Sequence, residues 1–298
     1  LQSRLLRFDS GFSLHWNIMK IGIIGYGFVG KALEAGLNED VELLKIDPKL
    51  HTKITDLENF KPNVIFICVP TPMNDDFSQD ISILQNVIKQ LKILNLQSLI
   101  VIKSTVLPKH IIEIDKQISE FIYNPEFLRE KHANQDFIES KLIVFGENNT
   151  SAKRLEEIYR DHSKCICTDY IYTDAIAASL IKYTINSFLA TKVIFFNELH
   201  SLFNQSGTSE SWDNFILAIA NDPRVGNSHM QVPGHDGRLG FGGACLPKDS
   251  NAFNIYSEEV GEPLSLLKKV IKTNNKIRAE YNLRTTRELE QNIKYDEE

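Results

Sequence analysis

The chain has 298 residues, of which 42% are apolar, and its formal net charge is −6 at pH 7. This length suggests two domains, or one large α/β domain with an appendage, and the apolar content suffices for a sizeable core. The negative charge and the lack of a long basic run argue against nucleic acid or an anionic membrane as partners. No apolar stretch of the sequence is long enough to cross a bilayer.

The first 18 residues differ from the rest of the chain. They contain two Arg but no apolar core of the kind that a signal peptide needs. Met19 directly precedes a clean strand pattern. We therefore expect the native start at Met19 and a non-native or poorly ordered leader over residues 1–18.

The four cysteines are expected to be reduced. Cys68 lies in an apolar run, and the spacing of Cys165 and Cys167 is too tight for a usual zinc pair. No second pair is present, so we predict no metal site and no structural disulfide. This pattern is typical of a cytoplasmic protein.

The fold opens with a nucleotide-binding pattern. An apolar strand leads into Gly25-x-Gly27-x-x-Gly30, and an amphipathic helix follows. Such glycines make the tight turn, admit a pyrophosphate and pack helix on strand. The next strand, residues 41–46, ends at Asp47, where an acid is expected to bind the adenosine ribose hydroxyls and to favour NAD over NADP.

Two continuous apolar runs, residues 63–69 and 99–102, predict strands that are buried on both faces of a parallel sheet. Small hydroxyl residues follow them: Thr71, Ser104 and Thr105. Ligands bind at the carboxyl ends of such strands, so these residues are candidate cofactor or water contacts. Each could equally be a helix cap or a turn residue.

Residues 172–206 contain neither Gly nor Pro and have helical apolar spacing. A helix of that length, ~50 Å at ~1.5 Å per residue, normally crosses between domains or makes a subunit contact. We predict a homodimer through it. Lys182 and Asn186 share one face, where the lysine could extend to solvent or act as a desolvated catalytic amine.

A polar, glycine-rich loop over residues 221–243 precedes the most informative segment, residues 240–249. Pro247 suits the first turn of a helix, which places Cys245 at a helix N-terminus. The helix dipole would there lower the thiol pKa, and Asp249 lies one turn further on. The alternative is a small buried cysteine beside a surface aspartate.

Two further segments carry weaker signals. Glu126 and Glu130 would share a face if their segment is helical, although a solvated acidic face explains the spacing as well. Residues 263–292 are expected to be helical.

These motifs together resemble the UDP-glucose/GDP-mannose dehydrogenase family, in the family's order and over about residues 20–277. The matching segments are the Gly25–Gly30 turn, Val69-Pro70-Thr71-Pro72, Lys103-Ser104-Thr105-Val106, Asn124-Pro125-Glu126-Phe127-Leu128-x-Glu130, Lys182-Tyr183-x-x-Asn186-x-Phe188, Arg224-Val225-Gly226 and Gly240–Asp249.

The resemblance implies oxidation of a sugar C6 alcohol to a carboxylate with two NAD per sugar, through a thioester on Cys245. Lys182 and Asn186 would stabilise oxyanion character, Asp249 would relay a proton, and Glu126 with Thr105 would direct the hydrolytic water. Implied cofactor contacts are Gly25, Gly27, Phe28, Val29, Gly30, Asp47, Val69, Thr71, Ser104, Thr105, Glu130 and Lys248. Implied substrate contacts are Phe127, Leu128, Lys182, Asn186, Arg224, Phe241 and Gly242.

We therefore predict an α/β protein with a Rossmann-type, doubly wound, mostly parallel sheet, then a long central helix and a smaller helical domain. The NAD-binding domain would span residues 19–170 and the catalytic and dimerisation domain residues 171–298. The C-terminal nucleotide-binding domain that is usual in the family is expected to be missing. Two alternatives stay open: a two-electron β-hydroxyacid-type dehydrogenase, and a truncated NAD-binding dimerisation module without turnover.

Overall fold

The computed structural model describes residues 18–118, 120–147, 151–281 and 283–295. Of the predicted leader only Ile18 falls in these ranges, so the expectation for residues 1–17 lies outside the described residues. Within them, no helix is both long enough and apolar enough to span a membrane.

A seven-stranded sheet forms the centre of the molecule, in the spatial order β2-β1-β3-β4-β5-β6-β7. All neighbouring strands are parallel except β5 and β6. The mostly parallel, Rossmann-type sheet predicted from the sequence is confirmed. The strands are β1 (Met19–Ile24), β2 (Val41–Ile46), β3 (Val64–Ile67), β4 (Leu99–Ile102), β5 (Ile122–Tyr123), β6 (Ile143–Gly146) and β7 (Tyr170–Thr173).

Eleven α-helices surround this sheet in the described part of the chain. They are α1 (Phe28–Gly36), α2 (Leu57–Phe60), α3 (Ser82–Leu94), α4 (Pro108–Asp115), α5 (Ala133–Ile138), α6 (Ala152–His162), α7 (Ala175–Gln205), α8 (Trp212–Ala220), α9 (Leu246–Glu259), α10 (Ser265–Ala279) and α11 (Thr286–Glu290).

Helices cover both faces of the sheet, and successive side chains of each strand pack against opposite faces. Ile24 of β1 faces a core shared with Leu84 of α3, while Ile23 faces the opposite core, shared with Leu33 of α1 and Leu155 of α6. Burial on both faces explains why the central strands are continuously apolar in sequence.

The topology also fixes where a ligand can bind. β1 lies between β2 and β3, so the chain reverses its direction of travel across the sheet at β1. The carboxyl ends of β1 and β3 therefore border the switch-point crevice of the fold. Gly25 follows the first of these strands and Val69 lies two residues beyond the second.

The long helix α7 begins three residues later than predicted. The expected start at Tyr172 is wrong because Tyr170–Thr173 forms β7, which pairs with β6. Asp174 then caps the helix by accepting the backbone N–H of Ala177 (2.8 Å). The predicted domain boundary at 170/171 thus falls inside the last strand, and the sheet continues to Thr173.

The last described segment is not one helix but two. α10 ends at Ala279, and α11 begins at Thr286 behind a capping box in which Thr285 and Glu288 bond each other's backbone. The chain then returns to the sheet, where the Gln291 carbonyl accepts the N–H of Met73 (3.1 Å). Lys294 pairs with Asp75 (2.8 Å) next to that contact.

Candidate active site

A cleft of about 720 Å³ opens at the switch point of the sheet. This volume falls within the range of ~300–1,000 Å³ that is usual for ligand sites. Its lining includes Gly25 and Gly27 of the first turn, Asp47 at the end of β2, and Cys245 before α9. The glycine turn and the cysteine, 220 residues apart in sequence (245 − 25), therefore face one cavity.

The three glycines of the turn differ in what surrounds them, since two approach protein backbone closely and one faces open space. A Cβ on Gly25, whose φ is +91°, would lie 2.7 Å from the carbonyl carbon of Cys68, and one on Gly30 would lie 2.4 Å from the oxygen of Gly25. The Cβ direction of Gly27 is open. The N-terminus of α1, which no side chain caps, faces the same cleft and favours an anion.

Asp47 is fixed at the far end of this cleft by two backbone groups. One carboxylate oxygen accepts the N–H of Tyr26 (2.8 Å), and the other accepts the N–H of Lys49 (2.9 Å). Each oxygen retains a lone pair for a ribose hydroxyl. Phe28 and Val29 line the same cleft as Asp47, where the adenosine end of the cofactor is predicted to bind.

The hydroxyl groups at the strand ends bind the backbone. Thr71 donates to the Thr105 carbonyl (2.9 Å), and Ser104 donates to the Val69 carbonyl (2.7 Å). All four residues line the cleft. Thr71 and Ser104 therefore hold the ends of β3 and β4 together and could meet a cofactor or water only as acceptors.

Four polar side chains form two hydrogen-bonded pairs near Cys245, and of the four only Glu126 lines the cleft. The Lys182 ammonium donates to the carbonyl oxygen of Glu126 (2.5 Å) and to its carboxylate (3.1 Å). The Asn186 amide donates to the Asp249 carboxylate (2.6 Å), which also pairs with Lys248. Two helices, α7 and α9, supply most of this group, as the spacing of four predicted.

Cys245 is the N-cap residue of α9, as predicted, but its thiol is not acidified. Burial first of all, and then the carboxylates of Glu126 and Asp249, raise the pKa of Cys245 to about 12 against the opposing effect of Lys182 and Lys248. The prediction of a lowered pKa is wrong, because burial and two carboxylates outweigh one helix terminus. The resting cysteine is a neutral thiol.

Lys182 stays protonated despite its complete burial. Burial alone would lower the pKa of Lys182, but Glu126, Asp249 and Cys245 together hold it above its ordinary value. The ammonium also lies 5.3 Å from the ring centre of Phe127. The site thus keeps a fixed cation next to the thiol.

Glu126 and Glu130 do not share a helical face. Glu126 lies in an extended loop and accepts the N–H of Leu128 (2.6 Å), and Glu130 only begins a short 3₁₀ turn. Glu126 is buried in the site, whereas Glu130 is exposed and pairs with Arg287 (2.7 Å). The helical interpretation of this segment is wrong, but Glu126 reaches the site nonetheless.

None of the seven predicted substrate contacts lines the main cleft, and Arg224, Phe241 and Gly242 have other surroundings. Arg224 is exposed and pairs with Asp222 (2.5 Å), and the Phe241 side chain packs into a core with Ala190 and Ile194. Gly242 approaches protein rather than open space, since a Cβ there would lie 1.6 Å from the Arg278 guanidinium. The expectation that these loop glycines approach a ligand is not met at Gly242.

Several site residues carried no signal in the sequence. Arg287, Glu290 and Gln291 from the α11 region line the cleft, with the Arg287 guanidinium 5.6 Å from the Phe28 ring. Gln79 donates to the Thr105 carbonyl (2.7 Å) and to the Tyr183 hydroxyl (2.9 Å). These side chains come from segments that are distant in sequence, and no local motif marks them.

Lys103 was singled out only as part of a motif. Its ammonium donates to the Asn124 side chain (3.0 Å) and to the Tyr159 hydroxyl (3.2 Å), and burial lowers its pKa to about 8. It thereby anchors the loop that carries Glu126, two residues beyond Asn124.

Comparisons with known proteins identify the family. The profile of the UDP-glucose/GDP-mannose dehydrogenase family, NAD binding domain, matches residues 32–163, and that of the family's central domain matches residues 176–276. A UDP-glucose 6-dehydrogenase of Rickettsia prowazekii is 31% identical over 301 residues, which cover 86% of this chain and 67% of that protein.

Solved structures share the fold. A UDP-glucose dehydrogenase from the archaeon Pyrobaculum islandicum superimposes with a TM-score of 0.70 at 23% identity, covering 92% of this chain and 70% of that one. A 3-hydroxyisobutyrate dehydrogenase of Mycobacterium tuberculosis gives 0.68 at 16% identity, covering 93% and 97%. The chain spans about half to two thirds of the length of four of the curated relatives that it matches.

Proposed function

Because the chain belongs to the UDP-glucose/GDP-mannose dehydrogenase family, we propose that it oxidises the C6 hydroxyl of a nucleotide sugar, first of all UDP-glucose, to a carboxylate. The observation that carries the proposal is the grouping of two hydrogen-bonded pairs, Lys182 with Glu126 and Asn186 with Asp249, near Cys245, which lines the dinucleotide cleft together with Glu126. Bound NAD would accept one hydride in each of two oxidations, so that each sugar consumes two.

The first oxidation converts the alcohol to an aldehyde. The Lys182 ammonium and the Asn186 amide are placed to hold the sugar oxygen as its proton leaves, since both donate into this end of the site. Asp249, which is buried and bonded to Asn186 and Lys248, is the proposed proton acceptor.

The second oxidation uses the thiol. The Cys245 thiol gives its proton to a neighbouring carboxylate, Asp249 or Glu126, as its sulfur forms a bond to the aldehyde carbon, and Lys182 stabilises the oxyanion that results. Loss of the second hydride leaves a thioester. Water, activated by Glu126 and held by Thr105, then breaks the carbon–sulfur bond and returns the thiol with the sugar carboxylate.

This chemistry separates the proposal from its alternatives. A two-electron β-hydroxyacid-type dehydrogenase needs no thiol, and a dimerisation module needs none of the five polar side chains. The family resemblance leaves GDP-mannose or an N-acetylhexosamine nucleotide as other substrates of the same class. With UDP-glucose the product would be UDP-glucuronate, a precursor of uronic-acid polysaccharides.

We further propose a homodimer through α7. Phe188, Phe195 and Leu202 are 58–65% exposed and recur every seven residues, which places them on one face of the helix. Arg224, which the resemblance implies as a substrate contact, also lies outside the main cleft, on an exposed loop. The four cysteines are free, in keeping with a proposed cytoplasmic location.

The deciding experiment measures NADH formed from limiting UDP-glucose with excess NAD. Two NADH per sugar are expected, and Cys245→Ser should lower kcat/KM by at least about 1,000-fold, the scale of losing a covalent nucleophile. Cys167→Ser, which changes a partly exposed cysteine outside the cleft, should leave it unchanged. One NADH per sugar with an active Cys245→Ser variant would contradict the four-electron reaction, and no oxidation of any nucleotide sugar would support the non-enzymatic alternative.

A further inference from the structure

The loop Gly240–Gly243, which leads directly into Cys245, is held by side chains of three different helices. These are one residue each from α7, α10 and α11, all buried, and each accepts one backbone N–H of the loop. The bonds run from Gly240 to Asn197 Oδ1 (2.9 Å), from Phe241 to Asn274 Oδ1 (2.6 Å) and from Gly243 to Glu288 Oε1 (3.2 Å).

Glu288 is the most constrained of the three acceptors. Its side chain is completely buried, and Oε1 also accepts from Arg278 Nη2 (3.0 Å) and from the Tyr295 hydroxyl (2.6 Å). Its second oxygen accepts the N–H of Thr285 (2.7 Å). The carboxylate is therefore held by donors from four separate points of the chain, counting Gly243, and cannot move without breaking several bonds.

Arg278 contacts the same loop and the segment that enters it. Its guanidinium, which is also buried, bonds Asp236 (2.7 Å) and the Leu239 carbonyl (3.3 Å) on the segment that enters the loop. A Cβ on Gly242 would lie 1.6 Å from Nη2, so the loop backbone rests directly on the guanidinium. Only glycine fits at position 242 because of this close approach. The contact also sets the distance between the loop backbone and α10.

We propose that Glu288 and Arg278 are positioning residues for the nucleophile, which hold Gly242 and Gly243 so that the Cys245 thiol enters the cleft in one direction. Neither side chain lines the cleft. The inference rests on the proposed function in taking Cys245 as the nucleophile. It assigns the α11 segment, at the far end of the chain, a part in the active site.

The physical reason is the freedom of the loop itself. Gly240 and Gly243 have φ values of +72° and +79°, and glycine adopts many other conformations at little cost. Covalent attack requires the sulfur at ~3–3.5 Å from the carbon, and a displacement of ~1 Å can cost about 100-fold in rate. Loss of the Glu288 bond should therefore lower kcat and leave substrate affinity nearly unchanged.

The test compares wild type with Glu288→Gln in two assays. One measures kcat and KM with UDP-glucose, and the other measures iodoacetamide alkylation of Cys245 without substrate, by peptide mass spectrometry. We expect kcat to fall at least about tenfold with KM within about threefold. Cys245 should be alkylated several-fold faster, because the released loop exposes it, while the core residue Cys68 reacts at the wild-type rate.

Two further variants complete the design. Glu258→Gln removes an exposed carboxylate that pairs with Lys268 between α9 and α10, and it should behave as wild type. Tyr295→Phe removes only one donor to Glu288 and should show the same pattern more weakly. If Glu288→Gln does not fold, Tyr295→Phe supplies the same two readouts.

Unchanged kcat and unchanged Cys245 alkylation in a folded Glu288→Gln variant would overturn the proposal. Equal acceleration at Cys245 and Cys68 would overturn it as well, since the effect would then be general loss of stability. Alkylation needs no turnover, so it decides the positioning role even if the wild type oxidises no nucleotide sugar, which would count against the proposed function alone.

Discussion

Cys245 is a neutral thiol because the local charges and burial outweigh the helix terminus. The rise of its pKa from 9.0 to about 12 corresponds to a free energy on the order of 4 kcal/mol. A helix dipole contributes ~0.3–1 kcal/mol in the opposite sense. In the proposed reaction the thiol would therefore lose its proton as it attacks the aldehyde, with Asp249 or Glu126 as the proton acceptor.

This interpretation predicts the pH dependence of Cys245 alkylation. A pKa raised to about 12 means that the thiolate fraction, and with it the alkylation rate, should still be rising at pH 10 without a plateau. Glu126→Gln removes a carboxylate that raises the thiol pKa, so alkylation at pH 8 should be roughly threefold faster or more. Glu130→Gln, on an exposed residue nearby, should change it less than about twofold. A plateau near pH 8 in the wild type would contradict the prediction.

Arg287 gives a second prediction at the scale of single residues. It contributes a guanidinium to the cleft lining, 5.6 Å from the Phe28 ring at the N-terminus of α1. A fixed cation there should attract the anionic cofactor, and Arg287→Met should weaken NAD binding about tenfold, or ~1.4 kcal/mol, in isothermal titration. Arg154→Met makes the same charge change at an exposed residue of α6 and serves as the control. Equal affinities for wild type and Arg287→Met would exclude the contact.

At the scale of elements, the buried Glu288 carboxylate couples α11 to α10 and to the loop before α9. Burial raises the pKa of Glu288, but bonds from Tyr295, Thr285 and Arg278 outweigh it and lower the pKa from 4.5 to about 2. A depressed pKa stabilises the folded state above the unfolded pKa. That contribution, on the order of 3 kcal/mol, is lost as the pH falls from about 4.5 towards 2.

The expected result is a pH-dependent difference between two proteins. The free energy of unfolding of wild type should exceed that of Glu288→Gln most at pH 6–7, and the difference should shrink as the pH falls below about 4.5. Urea unfolding at pH 7, 4.5 and 3 measures it. The exposed Glu258→Gln change should stay within about 0.5 kcal/mol at pH 7. If the difference in unfolding free energy between wild type and Glu288→Gln stayed constant from pH 7 to pH 3, the charge of Glu288 would not stabilise the folded state.

Local patterns explain how much of these elements could be predicted. The glycine turn and Asp47 belong to one strand–helix–strand unit, and the pairs Lys182–Asn186 and Cys245–Asp249 each lie within one helix. These groups could therefore be predicted from their spacing in the sequence. The segment of Glu126 was predicted less well, because its loop is held by Lys103 and Asn124 rather than by a helical repeat.

At the scale of the whole molecule, the unpredicted parts are those joined over long distances. Glu288 meets Gly243 across 45 residues, and Arg287 meets Glu130 across 157 (287 − 130). No periodicity or motif in the sequence indicates such a contact. In the sequence, Glu288 and Arg287 each resemble an ordinary charged residue on a helix. The same limit applies to Gln79, whose amide reaches Tyr183.

The proposed dimer can be tested at this scale. An acidic side chain at Phe195, 58% exposed in the middle of the α7 stripe, should oppose burial of that face. Wild type is expected at about twice the chain mass of 34.0 kDa in light scattering, and Phe195→Glu at the mass of one chain. Ile93→Glu, at an exposed apolar position on α3, is the control and should keep the wild-type mass. A monomeric wild type at micromolar concentration would contradict the dimer.

The contact between Met73 and Gln291 has a consequence for how the protein is made. The loop after β3 bonds the segment after α11, and 218 residues separate the two partners (291 − 73). At ~5–20 residues per second, the ribosome needs about 10–40 s to synthesise that stretch. A nascent chain can therefore fold the glycine turn and its strands long before the segment around Gln291, which lines the cleft, has been synthesised. We expect a growing chain to acquire full cofactor affinity only after residue 291 has emerged, so that tight binding marks a finished active site.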